Sequence, residues 1–325
     1  MSERPHQRPV VAVVGATAVG KSDLAVALAQ QLGGEVVNAD SMQLYRGMDI
    51  GTAKLRHDEQ GGVVHHVLDV WDVRDEANVA AYQQLARAAF QDVRDRGAVP
   101  VLVGGSGLYV RAALDRLDFP GTDPGVRARL EADLAADGSA ALHRRLAEVD
   151  PAAAASILAS NGRKLVRALE VVEITGRPFA ATLPEPAYAV PAVQLGLTLP
   201  RPVLDERIEA RVDRMWQRGL VDEVRELAAR GLREGRTASR ALGYAQVLRH
   251  LDGELTEAQA RDETVRATRR FVRRQESWFR RDPRVVWLPA DDPDLLARVV
   301  DSCQDGGAKN SSAIPSGSRN ETPEP

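Results

Sequence analysis

Residues 9–24 read PVVAVVGATAVGKSDL, and this stretch decides the fold. A short, β-branched apolar run ends in a glycine, and the segment after the spacing G-x-x-x-x-G-K-[ST] has helical periodicity. In this pattern the glycines let the backbone wrap around an anion, which inward-pointing N–H groups and the helix N-terminus stabilise. The stretch therefore predicts a phosphate loop between a strand and a helix. It comprises Gly15, Ala16, Thr17, Ala18, Val19, Gly20, Lys21 and Ser22.

The pattern leaves open which phosphate the loop binds. In such loops the lysine contributes a full positive charge and the hydroxyl after it ligates Mg²⁺, which makes Ser22 a candidate metal ligand. A typical nucleotide triphosphatase also has an apolar strand that ends in an Mg²⁺-organising aspartate. The nearest candidate here is Asp40, at the end of EVVNAD (35–40), and no guanine-reading Asn-Lys-x-Asp stretch occurs.

Strand-like and helix-like segments alternate on both sides of this loop. Helical patterns over 22–34 and 77–97 separate short apolar runs, and further runs follow later in the chain. This alternation predicts an α/β fold with a P-loop-containing parallel sheet flanked by helices. The predicted strands are 9–15, 35–40, 98–105, 192–199 and 284–290.

The alternation stops near residue 115. Residues 126–176 are rich in Ala, Arg and Leu, are helical in pattern and contain no strand candidate, and 178–191 is punctuated by prolines. We therefore predict a catalytic core of 1–115 and 192–302 with a helical insertion domain over 116–191. Residues 303–325 have almost no large apolar side chains, and we expect this tail to be disordered.

Composition narrows the class of protein. The chain has 325 residues, of which 44% are hydrophobic and 27% charged, and no apolar run approaches the length of a membrane span. Its single cysteine, Cys303, excludes an internal disulfide and a zinc finger built on paired cysteines. The N-terminal residues lack the apolar stretch of a secretory signal. We expect a cytoplasmic enzyme with no membrane partner.

The net charge of −3 does not suggest nucleic-acid binding, but the charge is unevenly distributed. Residues 261–284 contain nine arginines and four acidic residues, an excess of five positive charges. Four of these arginines follow the spacing i, i+4, i+7 and i+8, which places them on one helical face. They are Arg266, Arg270, Arg273 and Arg274. A solvated face and a phosphate-binding stripe both fit this pattern.

The stretch NADSMQLYRGMDIGTAK (38–54) closely resembles the signature of the tRNA dimethylallyltransferases, also called tRNA isopentenyltransferases. Other stretches resemble the same family in the same order, so that the likeness covers about residues 10–290. They are HHVLDV (65–70), LVGGSGLYVRAAL (102–114), RKLVRALEV (163–171), RIEARVDRMWQRGLVDEV (207–224), SRALGY (239–244) and RRQESWFRRD (273–282).

The chain departs from the usual family pattern at three positions of the phosphate loop. The family usually has Pro at position 16, often Ser at 19 and Thr at 22. The residues present here, Ala16, Val19 and Ser22, leave the backbone cradle intact. A C-terminal zinc finger, frequent in eukaryotic members, is missing, so the chain resembles the bacterial form.

The resemblance implies a reaction. Dimethylallyl diphosphate donates its five-carbon group to N6 of the adenosine immediately 3′ of the tRNA anticodon (position 37), and diphosphate leaves. The family motifs imply that Asp40 is the base on N6, and that Thr17, Arg211 and the phosphate loop stabilise the leaving group, with Mg²⁺ as cofactor. The family also implies the tRNA anticodon stem-loop as the partner, and we expect the protein to be a monomer.

Family position implies a larger set of tRNA contacts. Asp40, Ser41, Met42 and Gln43 would meet the extruded base and its neighbour, and the remainder would contact the stem-loop. The remainder comprises Ser106, Arg127, Arg163, Lys164, Arg167, Ser239 and Arg240. The arginine face of the helix predicted over 261–284 adds Arg270 and Arg274 as expected tRNA contacts.

Three rival functions remain open at this point. A small-molecule kinase would use the loop for ATP and Asp40 as the base for a hydroxyl group. A related prenyltransferase would act on free AMP or ADP, and an RNA-binding protein would keep the scaffold without catalysis. A metal site at His65 and His66 is disfavoured, because adjacent residues of a strand point to opposite faces.

Overall fold

A computed structural model describes residues 8–179 and 183–305 of the chain. Within them lies one parallel sheet of six strands in the order β3-β2-β4-β1-β5-β6. The strands are β1 Val10–Gly15, β2 Gly34–Asn38, β3 His65–His66, β4 Val99–Gly104, β5 Ala192–Thr198 and β6 Val285–Pro289. The helices are α1 Lys21–Leu32, α2 Val79–Asp95, α3 Gly107–Leu114, α4 Pro124–Val149, α5 Pro151–Ser156, α6 Gly162–Thr175, α7 Arg201–Gln217, α8 Leu220–Ala229, α9 Tyr244–Leu251, α10 Glu257–Phe279 and α11 Leu295–Asp305. Short 3₁₀ turns lie at His57–Gln60 and Ala238–Arg240.

The predicted α/β class, with a parallel sheet flanked by helices, is confirmed. Every residue of β1 is buried, as its uninterrupted apolar sequence predicts for an inner parallel strand. Two details differ from the sequence pattern. The strand predicted over 35–40 ends at Asn38, which leaves Asp40 in the loop beyond it. The predicted set of sheet strands did not include the two-residue strand β3, because so short a segment has no periodicity.

The core that supports the phosphate loop lies between the sheet and helices α1, α7 and α10. It includes Val11 and Val13 of β1, Leu28 of α1, Leu204 of α7 and Val272 of α10. Helices that begin far apart in the sequence therefore pack against the same central strand. The loops at the carboxyl ends of the strands lie above this core, where ligands usually bind in open α/β sheets.

The described chain divides into two compact units. One contains the residues up to Asp115 together with those from Tyr188 onward, and the other is Arg116–Ala187. The second unit contains α4, α5 and α6, and its own core includes Leu130, Leu146 and Leu165.

The second unit ends at Ala187, whereas the sequence pattern extended the insertion to residue 191. Two contacts tie the residues after Ala187 to the first unit. Asp115 forms a β-bridge with Tyr188, and the Ala189 N–H donates to the Leu114 carbonyl at 2.7 Å.

The predicted start of the disordered tail, residue 303, is wrong. Residues 303–305 belong to helix α11, and 306–325 lie outside the described residues. Among the described helices, we find none with the length and apolar character needed to cross a membrane.

Candidate active site at the phosphate loop

The phosphate loop connects β1 to α1 at the carboxyl edge of the sheet. Gly15 has a φ of 140°, and a Cβ there would lie 2.8 Å from the Leu197 carbonyl oxygen of the neighbouring strand. Ala18, in the middle of the loop, also has a positive φ of 67°. The ammonium group of Lys21 donates to the Ala16 carbonyl at 2.6 Å and closes the loop from its helix end. The loop thus has the folded-back shape that its sequence predicts.

Lys21 and Arg211 share one electrostatic environment with Asp40. The pKa of Lys21 is lowered to about 8, mainly by burial and also by the charge of Arg211, whereas Asp40 acts in the opposite direction. Burial also lowers the pKa of Arg211, and Asp40 again acts in the opposite direction. Arg211 reaches this place from α7 and donates to the Thr52 carbonyl at 3.1 Å. The structure therefore brings together two cations and one carboxylate that the sequence separates widely.

Asp40 is held in place by Asn38, a buried polar residue at the end of β2. The Asn38 Oδ1 accepts from the Asp40 N–H at 2.8 Å, and its Nδ2 donates to the Asp40 carbonyl at 3.0 Å and to the Val67 carbonyl at 3.1 Å. Tyr82 of α2 donates its hydroxyl to the Asn38 carbonyl at 2.9 Å. The sequence analysis did not identify Asn38 as a site residue, although a single amide side chain at the end of an apolar strand indicates a polar role there.

Ser41 lies against the loop that follows β4. Its N–H donates to the Ser106 Oγ at 3.2 Å, and the two hydroxyl oxygens are also 3.2 Å apart. The approach is close because of Gly104, where a Cβ would lie 2.4 Å from the Ala39 carbonyl oxygen. Two predicted tRNA contacts, Ser41 and Ser106, are therefore direct neighbours beside Asp40.

The rest of the signature stretch folds into a loop anchored by Glu223 of α8. The Glu223 carboxylate accepts the N–H groups of Asp49, Ile50 and Gly51 at 3.2, 2.7 and 3.2 Å, and the Tyr244 hydroxyl at 2.6 Å. Three consecutive amide groups directed at one anion fix the path of the loop.

A second anchor of the same loop is Lys54, which is buried. Its ammonium group lies 2.6 Å from the Asp49 carboxylate, 2.5 Å from the Asp69 carboxylate and 3.1 Å from the Tyr45 carbonyl. Gln43, a predicted tRNA contact, donates to the Thr52 carbonyl at 3.2 Å. Glu223 and Lys54 lie within the stretches that resemble the family, but only the contacts show what they hold.

The chain is similar to known proteins over most of its length. A family model described as IPP transferase matches residues 43–282. A tRNA dimethylallyltransferase of Thermobifida fusca (strain YX) is 69% identical over 295 residues, which cover 89% of this chain and 92% of the relative. The chain belongs to the IPP transferase family.

Solved structures agree with this family assignment. A full-length tRNA isopentenylpyrophosphate transferase from Bacillus halodurans is 40% identical, with a TM-score of 0.67 over 92% of this chain and 96% of that chain. A eukaryotic dimethylallyltransferase acting on tRNA is 25% identical, with a TM-score of 0.79 over 92% of this chain and 79% of that chain. The resemblance inferred from the sequence motifs is confirmed.

Within the helical unit of this IPP transferase, the predicted tRNA contacts fall into two groups. Arg127 and Arg167 both bind the fully buried carboxylate of Glu170, at 2.6 and 2.7 Å. Arg163 and Lys164 lie on the first turn of α6, and Arg163 is exposed. The first pair therefore has a structural partner within the unit, whatever else it contacts.

The predicted contacts near the C-terminal part of the transferase also differ in their surroundings. Ser239 donates its hydroxyl to the Gly235 carbonyl at 2.7 Å, and Arg240 beside it is exposed. On α10, Arg270 and Arg274 are exposed and form no ion pair with any acidic residue of the described chain. By contrast, Arg261 of the same helix lies 2.7 Å from the Asp213 carboxylate.

The two adjacent histidines have protein partners. His65 Nδ1 lies 2.9 Å from the Val63 carbonyl, and burial lowers the pKa of its ring. His66 Nε2 lies 2.5 Å from the Glu35 carboxylate. Over residues 8–179 and 183–305 no group of three or more His, Cys, Asp or Glu side chains is placed to hold a metal ion.

Proposed function

We propose that this protein transfers the dimethylallyl group of dimethylallyl diphosphate to N6 of the adenosine immediately 3′ of the tRNA anticodon, position 37, and releases diphosphate. The observation that supports it best is the shared electrostatic environment of Lys21, Arg211 and Asp40 beside the phosphate loop. The cations suit the leaving diphosphate, and the carboxylate suits the acceptor amine. We expect the reaction to take place in the cytoplasm, where tRNA is available.

The chemistry requires groups of both signs. The lone pair of N6 is delocalised into the adenine ring, so the amine is a weak nucleophile. In the proposed step, N6 forms a bond to C1 of the donor, the bond from C1 to the diphosphate oxygen breaks, and Asp40 accepts the N6 proton. Lys21, Arg211, the Thr17 hydroxyl and the N–H groups of the loop stabilise the charge that develops on the diphosphate.

The donor atoms at the loop fit a magnesium ion that is bound mainly by its substrate. Ser22 follows Lys21 in the first turn of α1, and its hydroxyl makes no hydrogen bond to another described residue. Mg²⁺ typically takes few protein ligands and keeps water and phosphate oxygens around it, so one hydroxyl is a sufficient contribution. When bound, the ion would neutralise part of the diphosphate charge.

The anticodon stem-loop of tRNA is the proposed partner. A stacked base cannot reach Asp40 and must be extruded, at a cost of a few kcal/mol. Ser41, Met42 and Gln43 follow Asp40 directly and would meet the extruded adenine, whereas Arg270 and Arg274 would bind backbone phosphates. We propose that the protein acts as a monomer.

The test is a competition between donors. The protein is incubated with unmodified tRNA, dimethylallyl diphosphate, ATP and Mg²⁺, and the nucleosides are analysed by mass. We expect one dimethylallyl group on one adenosine, and none on a matched tRNA that carries guanosine at position 37. A phosphorylated product would indicate a kinase, prenylated AMP alone would indicate a free-nucleotide enzyme, and bound but unmodified tRNA would indicate an RNA-binding protein.

A further inference from the structure

Gln275 lies on the inner face of α10, and only 5% of its surface is exposed. Both ends of its side-chain amide are used. The Oε1 atom accepts from the backbone N–H of Thr17 in the phosphate loop at 2.9 Å, and the Nε2 atom donates to the Gly105 carbonyl after β4 at 2.9 Å. One side chain therefore links two separate loops at the carboxyl edge of the sheet.

In the proposed reaction, one of the two loops would bind the prenyl donor and the other would contact the acceptor. Thr17 belongs to the loop proposed to bind the diphosphate of the donor. Gly105 precedes Ser106, whose Oγ accepts from the Ser41 N–H at 3.2 Å next to the proposed base. A short path thus runs from the donor loop through Gln275 to the loop that would hold the acceptor.

The packing around this amide leaves it little freedom. A Cβ on Gly105 would lie 2.3 Å from Gln275 Nε2, and one on Gly107 would lie 2.1 Å from the Trp278 ring one turn further along α10. The two glycines of this segment allow the helix to approach the loop. The close contact fixes the position of the amide, and therefore the spacing of the two loops that it joins.

The chemistry of the position calls for an amide. Thr17 requires an acceptor and Gly105 requires a donor, and glutamine offers one of each in a fixed orientation. A glutamate would keep the acceptor, but while ionised it would direct its second oxygen at the Gly105 carbonyl. A methionine would fill similar space and make neither hydrogen bond.

We propose that Gln275 is a positioning residue for prenyl transfer, which sets the separation between the donor loop and the acceptor loop. This inference rests on the proposed function. A displacement of about 1 Å between reacting groups can reduce a rate by about a hundredfold, so a residue that touches neither substrate has a large effect through spacing alone.

The experiment measures single-turnover prenyl transfer at saturating substrates for the wild type, Gln275→Met and Gln275→Glu. The matched control is Thr264→Val, which removes a buried hydroxyl from α10 that bonds only to the Ala260 carbonyl of its own helix, at 2.8 Å. We expect Gln275→Met to reduce the rate about 10- to 100-fold while the Kd for tRNA changes less than about twofold. Thr264→Val should keep a rate near that of the wild type.

The pH dependence of Gln275→Glu separates positioning from a general loss of stability. Burial favours the neutral carboxyl, which can donate to Gly105 again. The rate of Gln275→Glu relative to the wild type should therefore rise as the pH falls, whereas the ratio for Gln275→Met should stay flat.

Three results would overturn the inference: a Gln275→Met rate near that of the wild type, an equal loss in Thr264→Val, or a flat ratio for Gln275→Glu. A wild-type protein that leaves tRNA unmodified would instead overturn the proposed function, and with it the role of Gln275.

Discussion

The backbone N–H of Met42 donates to the Oδ1 atom of Asp40 at 2.9 Å. The Oδ2 atom makes no hydrogen bond to a described residue. One oxygen of the carboxylate thus fixes the turn into the signature loop, and the other remains available for a proton. An asparagine preserves the first role and removes the second.

We therefore predict that Asp40→Asn reduces the single-turnover rate of prenyl transfer by about 10²- to 10⁴-fold, the usual contribution of a positioned base. Its affinity for tRNA should stay within about threefold of the wild type, because the turn is kept. Rapid-quench assays and filter binding measure the two quantities. If affinity is lost together with rate, Asp40 mainly holds the adenine and does not accept its proton.

The pKa of Lys21 predicts how the affinity for diphosphate depends on pH. Burial and Arg211 hold its pKa at about 8, so it loses its proton as the pH rises through that value. Diphosphate prefers the charged form, and its affinity for the protein should therefore fall above about pH 8. Calorimetric titration with inorganic diphosphate from pH 6 to about pH 9.5 measures this effect.

The matched variant for this titration is Lys21→Arg, whose guanidinium stays charged over the whole range. The titration of diphosphate itself affects both proteins equally, so the difference between the two curves reports on residue 21. Parallel curves for the two proteins would contradict the role given to Lys21.

Ala18 gives a prediction for stability. Its φ of 67° is unfavourable for any residue with a Cβ. Ala18→Gly should raise the free energy of unfolding by about 0.5–1 kcal/mol, since relief of this strain outweighs the extra entropy of glycine in the unfolded chain. Ala27→Gly, in the middle of α1, should have the opposite sign, at about 1 kcal/mol. Urea denaturation with a common m-value provides the comparison, and a destabilised Ala18→Gly would show that the loop is not strained there.

Arg127 should affect stability whether or not it binds tRNA. Its guanidinium forms two hydrogen bonds with the buried carboxylate of Glu170. Arg127→Met leaves a buried charge short of one partner, and we expect a loss of about 2–4 kcal/mol. Arg163→Met removes an exposed charge from the same unit and should change the free energy of unfolding by less than about 0.5 kcal/mol. Similar losses in both variants would contradict this distinction.

The exposed arginines of α10 predict a salt effect. If Arg270 and Arg274 each neutralise one tRNA phosphate, the double alanine variant should reduce the slope of log Kd against the logarithm of the salt concentration by about 1.5–2. Arg261→Ala removes one positive charge from the same helix, but this arginine is already paired with Asp213, so the slope should stay nearly unchanged. An unaltered slope in the double variant would exclude the stripe from the tRNA interface.

The local sequence patterns predicted the features of this protein that are set by neighbouring residues in the chain, namely its strands, its helices and the loop between β1 and α1. The apolar run of β1, the glycines of the loop after it and the helix that follows predicted a parallel α/β sheet with a folded-back loop between strand and helix, since backbone conformation and burial periodicity are local properties. The motif over 38–54 predicted the family, which the relatives confirm. The insertion was visible as a stretch without strand candidates, but its last residues could not be assigned from composition.

Tertiary structure alone decided which polar groups share a site. Residues from different elements meet at one edge of the sheet: Arg211 comes from α7, Gln275 from α10 and Asn38 from β2. The family resemblance implied only a tRNA contact for Arg127, yet it pairs with a buried carboxylate 43 positions away. Hydrogen bonds and charge interactions act over a few ångströms in space. The sequence pattern does not give the distances between residues of different elements, which are set only when the chain folds.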